Sequence, residues 1–351
     1  MSSSVISAIS TVLVATSTRT CGAPLTVTAT ATPVSTWWRV ADLAWCCDLS
    51  DENRARYAPQ YPQTRFTADF DDLLNDPELD AIAIASSVPS HHPLGMRALA
   101  AGKHVFIEKP LAASAADARE LVEAAEAADR RLMVGHLLLF HPALAFLHTL
   151  IDSGELGEIY YLYGNRQNLG KVRADENALW SLGAHDVAVL LDLVGERPVE
   201  AWARGECYVR PDVEDVVFGY LKFPSGVIAH LHLSWLDPHK MRKLTVVGSQ
   251  KMVVFDDMET DRKVTIYDKS ASRSPSTDSY GEYVSVRFGD ISIPRIANDE
   301  PLRIECQEFV DAITAAREPR CNGREGLAVV EVLEAMQASL DDGGRVMKLP
   351  A

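Results

Sequence analysis

Short apolar runs alternate with amphipathic segments between about residue 40 and residue 136. The runs VADLAWCCDLS, AIAIAS and RLMVGH lack polar alternation and are about four to eight apolar residues long, as in strands buried on both faces. The segments between them, such as ADARELVEAAEAADR, repeat apolar positions at three- and four-residue steps, which predicts helices. Another helix is predicted from His92 to Ala101, ended by Gly102. Alternation of strand and helix predicts an α/β domain, a Rossmann-type sheet of parallel strands with helices on both faces.

The pattern changes after residue 137. One apolar-faced helix, AHDVAVLLDLVG, ends at Gly195, and successive strand patterns follow, separated by turn signals such as Phe223–Gly226. They predict an α+β domain with a large, open, mostly antiparallel sheet. The expected domains are therefore residues 1–137 and 138–351. Helices near 301–316 and 324–340 could pack back on the first domain.

Length and charge limit the classes of function. A chain of 351 residues is long enough for two domains with their own cores. The net charge of −15 argues against nucleic-acid binding, which needs a basic face, but allows a local basic pocket for an anionic substrate. The six cysteines form no CxxC pair or Cys/His cluster, so we expect no metal and no disulfide framework. Free thiols, with no signal peptide or apolar span, predict a cytoplasmic protein without a membrane partner.

The stretch AGKHVFIEKPLA, residues 101–112, carries the clearest chemistry. It predicts a turn, a short buried strand, and then Glu108 and Lys109 before Pro110. Proline restricts the residue before it to extended geometry, so the backbone is constrained where the charged pair emerges. Strand carboxyl ends are where open α/β sheets bind ligands. A strand-capping salt bridge is the alternative interpretation.

Several segments together resemble the glucose–fructose oxidoreductase, inositol dehydrogenase and rhizopine-catabolism family, Gfo/Idh/MocA. The resemblance covers roughly residues 40–345. It is carried by AIAIAS, VPSH, AGKHVFIEKPLA, MVGH with Phe140-His141-Pro142, and then GAHD, SWLDP and LTVVGS. The later segments resemble the sugar-nucleotide branch, which includes enzymes described as UDP-N-acetylglucosamine 3-dehydrogenases.

The resemblance implies an NAD(P)-dependent oxidoreductase. Such an enzyme transfers hydride between nicotinamide and a ring hydroxyl or ketone of a sugar or sugar nucleotide. It also implies a homodimer or homotetramer formed through the open sheet. Hydride removal from a carbinol carbon needs a cation beside the oxygen and a base for the proton. Lys109 would be the cation, and His185 the base.

The same resemblance implies cofactor and substrate residues. Asp48, at the end of the second predicted Rossmann strand, would bind the adenosine ribose, and an acid there favours NAD over NADP. The remaining cofactor positions are Ser86, Val88, His91, Glu108, Lys109 and His136. The substrate positions are Arg166, Lys171, Asp186, Trp235 and His239.

Each position has a structural alternative. Asp48 could cap the following helix, and His91 could lie in a surface turn. His185 could be a buried histidine with its hydrogen bonds satisfied. Arg166 and Lys171 could be solvated loop charges, and Trp235 and His239 could belong to a plain turn.

The chain departs from the family in two places. Family members begin with a strand that runs into G-x-G-x-x-G, whose glycines let the backbone approach the pyrophosphate. Here Gly22 is the only glycine before Gly95, in a segment rich in Ser and Thr. Residues 1–39 are either translated out of frame or genuine, with weakened dinucleotide binding. Many relatives also have an aspartate where this chain has Ser181, which puts the strength of His185 as a base in question.

Two other classes of function stay open at this stage. One is a sugar-binding or regulatory protein on the same scaffold. The other is an enzyme of a non-redox class that keeps the substrate pocket. The absent glycines and Ser181 favour these two, whereas the EKP and GAHD segments favour the dehydrogenase.

Overall fold

The chain divides into two compact units, each built around one sheet. The computed structural model describes residues 11–17, 41–170, 172, 176–273 and 284–350. The first unit contains residues 1–137 and 300–330, and the second contains residues 138–299 and 331–351.

The sheet of the first unit has seven strands. They are β1 (Thr11–Ser17), β2 (Asp42–Leu43), β3 (Trp45–Asp48), β4 (Arg65–Thr67), β5 (Ala81–Ala85), β6 (His104–Glu108) and β7 (Leu132–Gly135). Their order is β4-β3-β1-β5-β6-β7, and β2 pairs with β1. The pairs β3–β4, β5–β6 and β6–β7 are parallel, as the buried apolar runs predict. Ile82, Ile84 and Val105 have no exposed surface, so this part of the sheet is core.

Strand β1 is the exception to the expected parallel sheet. It pairs antiparallel with both β3 and β5. Thr11, its first residue, lies opposite Asp48 and Ala85, which end β3 and β5. The strand therefore begins at the edge where its neighbours end, and it leaves at the opposite edge. Residues 1–39 contain three β-branched stretches that could form strands, VISAIS, TVLVAT and PLTVTATAT. TVLVAT lies in β1, and the other two lie outside the described residues.

Eight α-helices occur in the described residues. They are α1 (Asp51–Tyr57), α2 (Asp71–Leu74), α3 (Val88–Ala100), α4 (Ala115–Ala127), α5 (Pro142–Asp152), α6 (Ala184–Val194), α7 (Pro301–Thr314) and α8 (Gly323–Asp341). Ser50 and Ser114 cap α1 and α4, each accepting a backbone N–H three residues on. Helix α3 begins at Val88 rather than at the predicted His92. The Val88–Ser90 stretch is helical because Pro89 is compatible with a first helical turn.

The sheet of the second unit has nine strands, in the order β15-β14-β13-β12-β8-β11-β10-β9-β16. The strands are β8 (Ile159–Leu169), β9 (Glu200–Glu206), β10 (Val216–Lys222), β11 (Ile228–Ser234), β12 (Leu236–Gly248), β13 (Met252–Asp256), β14 (Val264–Arg273), β15 (Val284–Ser292) and β16 (Met347–Lys348). Only the β8–β11 pair is parallel among them, which confirms the mostly antiparallel sheet. Strand β12 also includes the LDPHK segment, for which a turn was one interpretation.

The second sheet has a covered face and an open face. Along β10, Val217 and Leu221 are buried while Phe218 between them is exposed, as alternation across a sheet requires. Val286, Phe288 and Ile291 on β15 are also exposed. The predicted dimer or tetramer would use this kind of surface, and it stays a prediction. Within the described part of the chain, no helix combines the length and apolarity that crossing a membrane requires.

Candidate active site

The carboxyl ends of β3, β5, β6 and β7 lie at one edge of the first sheet. Parallel pairing sets Ile84 opposite Ile107, and Glu108 opposite Gly135. The predicted cofactor residues of this unit therefore follow or end neighbouring strands. They are Asp48, Ser86, Val88, His91, Glu108, Lys109 and His136. The sheet topology brings to one edge positions that are up to 88 residues apart in the numbering.

Asp48 is buried and orders the turn into α1. Its carboxylate accepts hydrogen bonds from the backbone N–H of Ser50, at 2.8 Å, and from the side-chain amide of Asn53, at 2.9 Å. Arg54 donates to the Asp48 carbonyl oxygen. Asp48 therefore supports the start of α1, as the helix-capping alternative expected, although the N-cap residue itself is Ser50. A ribose contact for Asp48 stays a prediction.

His91 ties the EKP segment to the turn after β5. It is buried rather than on a surface turn, and its ring nitrogens lie 2.9 Å from the Pro110 carbonyl oxygen and 3.1 Å from the Ser86 carbonyl oxygen. Burial lowers the pKa of His91, and the two carbonyls oppose that shift. The buried imidazole thus connects two backbone segments, the one after β5 and the one after β6. The predicted contact of His91 with the cofactor stays untested.

The turn after β5 carries hydroxyl groups. The hydroxyls of Ser86 and Ser90 lie 2.6 Å apart, and Ser90 also donates to the Ser87 carbonyl oxygen. Ser87 is the N-cap of α3 and makes no side-chain capping bond. Because α3 begins shortly after β5, its first turn, which contains Val88, lies at this edge. Free backbone N–H groups at a helix start attract anionic and polar ligand groups.

Glu108 ends β6 and Lys109 follows it, and the Lys109–Pro110 peptide bond is cis. Glu108 leans over the neighbouring strand, because a Cβ built on Gly135 would lie 3.0 Å from Glu108 Oε2. Burial raises the pKa of Glu108, and Lys109 opposes this shift through its charge and its backbone N–H. The pair is therefore a desolvated carboxylate next to a cation.

His136 follows β7 and is fully desolvated. Burial lowers its pKa to about 3, and the charge of Lys109 acts in the same direction, so the imidazole is neutral at neutral pH. Neither ring nitrogen has a hydrogen-bond partner among the residues that the structure describes. Buried polar atoms are normally satisfied, so this imidazole is suited to bind a polar ligand group.

These groups meet the requirements of only part of a dinucleotide. A neutral His136, the Ser86 hydroxyl and the Glu108–Lys109 pair suit the nicotinamide and its ribose. A phosphate cradle normally follows the first strand at this same edge. Strand β1 runs antiparallel to β3 and β5, so it ends at the other edge of the sheet.

In the second unit, a π-turn at Leu179–Gly183 leads directly into α6. Single π-turns inside helices are frequent at functional sites. A Cβ on Gly183 would lie 2.9 Å from Leu233, so a glycine lets the helix approach the sheet closely. His185 is half-buried one turn after Ser181, which lies within the π-turn. The pairing of these two positions on a regular α-helical face is therefore interrupted.

Arg166 and Asp186 form a closed ion pair. Arg166 on β8 donates from Nε and Nη2 to the two carboxylate oxygens of Asp186, at 2.5 and 3.3 Å. The side chains are only 11% and 12% exposed. The pair joins α6 to the sheet, because the two predicted substrate residues bind each other. A substrate contact for either one stays a prediction.

Of the other predicted substrate residues, the two that the structure describes differ in burial. Trp235 is buried between β11 and β12, and its backbone bonds to Asp215 and Gly170. His239 is exposed on β12, and Lys171 lies outside the described residues.

Two further groups were not predicted from the sequence. His141, in the segment Phe140-His141-Pro142, caps α5 by accepting the Ala143 N–H. Its Nε2 lies 3.7 Å from Asp257 Oδ1. Asp257 in turn contacts Arg242 and Lys263. Glu305 on α7 is buried in the first unit, and only its charged character within an apolar helical pattern could have indicated it. No group of residues suited to hold a metal ion occurs in the described part of the chain.

Family models match most of the two units. Residues 41–136 match the Gfo/Idh/MocA model described as an oxidoreductase family with an NAD-binding Rossmann fold. Residues 145–254 match the Gfo/Idh/MocA C-terminal domain. Together the two segments make up more than half of the chain.

Individual proteins agree with these matches. The UDP-N-acetylglucosamine 3-dehydrogenase of Acidithiobacillus ferrooxidans is 26% identical, over 86% of this chain and 93% of its own. The inositol 2-dehydrogenase 2 of Saccharopolyspora erythraea is 31% identical over 52% of this chain and 56% of its own.

Solved structures show the same fold. The aldose–aldose oxidoreductase of Caulobacter crescentus superimposes with a TM-score of 0.75 at 22% identity, covering 90% of this chain and 94% of that one. GenD2, solved in complex with NAD, superimposes with a TM-score of 0.72 at 24% identity, covering 88% and 89%. At such identities the likeness is one of fold.

Proposed function

Because the chain belongs to the Gfo/Idh/MocA oxidoreductase family, we propose that it is an NAD-dependent dehydrogenase or reductase acting on a sugar or sugar nucleotide. The reaction would move a hydride between nicotinamide and a ring carbinol or ketone. Relatives named for UDP-N-acetylglucosamine and for inositol support a polyhydroxylated substrate.

One observation carries the proposal: a desolvated Glu108 ends a central strand and is followed by Lys109, whose charge also acts on the neutral His136. A core position gains nothing from an ammonium group held at a strand's carboxyl end, since burial of charge is costly. Such a group is useful where negative charge develops on a substrate oxygen.

In the proposed mechanism, Lys109 binds the reacting oxygen and stabilises its negative charge. His185 accepts the hydroxyl proton in the oxidative direction and returns it in the reductive direction. Asp186 is occupied by Arg166, so it is a weak candidate for orienting the imidazole. NAD, when bound, supplies the hydride acceptor.

The cofactor would be held by the edge of the first sheet. Ser86, Val88 and His136 would line the nicotinamide side, and Glu108 would contact its ribose or orient Lys109. His91 would hold the two backbone segments that carry these groups. Asp48 would accept the adenosine ribose hydroxyls, which favours NAD over NADP because a 2′-phosphate would meet like charge.

Titration of the full chain with NADH, followed by fluorescence or calorimetry, tests this proposal first. We expect saturable binding that is weaker than in relatives with a glycine-rich first turn. Activity is then measured with UDP-N-acetylglucosamine, inositol and simple aldoses, in both directions. Absence of NADH and NADPH binding up to millimolar concentrations would overturn the proposal.

That negative result would favour a sugar-binding protein without turnover, or a non-redox enzyme on the same scaffold. The antiparallel β1 and the absent glycines are the features that favour these alternatives. Calorimetry with the same sugars and no nucleotide tests these two alternatives. A sugar-binding protein or a non-redox enzyme should bind its sugar in the absence of any cofactor.

A further inference from the structure

Helix α7 contacts β6, the strand that ends at Glu108. The rings of Phe106 on β6 and Phe309 on α7 meet edge to face, with centroids 5.8 Å apart. A Cβ on Gly135 would lie 3.0 Å from both the Phe106 ring and the Glu108 carboxylate. The side chains of Phe106 and Glu108 therefore project from the same face of the sheet, the face that α7 covers.

The spacing on the two elements brings a second acid to Glu108. Glu305 precedes Phe309 by four residues, about 6 Å along a helix axis. Glu108 follows Phe106 by two residues, about 6.6 Å along a strand. With the two phenylalanines in contact, each glutamate lies within about 7 Å of that contact along its own element. The Glu108 charge acts on Glu305.

Glu305 has no exposed surface, and neither carboxyl oxygen has a hydrogen-bond partner among the described residues. Burial raises its pKa well above the ordinary value, and the negative charge of Glu108 raises it further. Its neighbour Cys306 is also buried, and burial raises the pKa of that thiol, so it brings no charge. Lys109, by contrast, opposes the shift at Glu108.

We propose that Glu305 is a positioning residue of this site, which holds a proton near Glu108 so that Glu305, Glu108 and Lys109 together keep no net charge. Loss of that proton would leave two carboxylates near one ammonium. The second carboxylate would draw Lys109 away from the substrate oxygen. Its effect on turnover rests on the proposed function, whereas the protonation itself does not.

Infrared spectroscopy of the folded chain tests the protonation without any activity. A carboxylic acid C=O band should persist at neutral pH in the wild type and disappear in Glu305→Gln, which has nearly the same shape and no titrating proton. Asp311→Asn is the matched control, since it makes the same change on the exposed side of α7. A band that is unchanged in Glu305→Gln, or absent from the wild type, would overturn the proposal. Glu305→Asp, which should shift the band, serves if the amide variant fails to fold.

The pH profile of kcat tests the positioning role. Above the pH at which the infrared band disappears, wild-type kcat should fall about tenfold per pH unit, as for loss of one proton. Glu305→Gln should keep near-wild-type kcat at neutral pH and lack this fall. Superimposable profiles would reduce Glu305 to a structural residue. A wild type with no redox activity would refute the proposed function instead, and the infrared result would still decide the state of Glu305.

Discussion

The two units each bury charged side chains, and they do so in opposite ways. In the second unit, Arg166 and Asp186 form a bidentate pair with one cation for one anion. In the first unit, the half-buried Glu108 and the fully buried Glu305 are two acids, and Lys109 is the cation that acts on Glu108. A closed pair is suited to hold elements together. An unbalanced group keeps a cation available for chemistry, provided that the extra acid stays protonated.

Breaking the closed pair should have the largest effect on stability. Asp186→Ala leaves Arg166 buried without its partner, which should lower the free energy of unfolding by about 3–5 kcal/mol. Denaturant unfolding followed by circular dichroism measures the loss. The double variant Arg166→Met/Asp186→Leu should recover most of it, because no buried charge remains. A double variant as unstable as the single one would show that the pair itself contributes more than its desolvation costs.

Removing the cation of the first unit should affect turnover far more than stability. Lys109→Ala takes away the group that faces the developing negative charge, so kcat should fall by about 10²–10³-fold. NADH affinity should change little. Lys348→Ala is the control, because Lys348 is exposed and pairs with Glu200. Retained turnover in Lys109→Ala would remove this residue from the mechanism.

The pH dependence of His136 should be the smallest effect near neutrality. Burial lowers its folded-state pKa to about 3, whereas the unfolded value is the ordinary 6.5. Below pH 6.5 the unfolded state therefore binds a proton at His136 that the folded state does not bind. Stability is consequently lost as the pH falls. Relative to His136→Gln, the wild type should lose up to about 1.4 kcal/mol per pH unit towards pH 3.

Urea midpoints measured across this range for both proteins check the prediction. His92→Gln, a change at a partly exposed imidazole beside Glu120, is the control. If stability changes with pH in parallel for the wild type and His136→Gln, the prediction is wrong. Water or another group would then stabilise the protonated imidazole in the folded state.

Local pattern predicted elements well because their signals are short-range. The buried runs at β5, β6 and β7, the serine caps of α1 and α4, and the change from parallel to antiparallel sheet are all readable from neighbouring residues. The start of α3 was placed too late because a polar, proline-containing stretch is compatible with either a turn or a first helical turn.

The sequence did not allow us to predict contacts between residues that are far apart in the chain. Arg166 and Asp186 were both assigned to the substrate, yet they bind each other across 20 positions of sequence. His91 is a brace between two carbonyl oxygens, one of them 19 residues away. These contacts depend on which faces of the elements meet, and that is a property of packing.

By itself the sequence determined the alternation of strands and helices, the charged pair before Pro110, and the absence of a glycine-rich first turn. Each follows from local geometry or from the residues present. Only the tertiary structure decided the antiparallel direction of β1, the closed pair in the second unit, and the burial of Glu305 within reach of the Glu108 charge. Strand direction and burial depend on which distant segment supplies hydrogen bonds and excludes water, and local pattern carries no record of that choice.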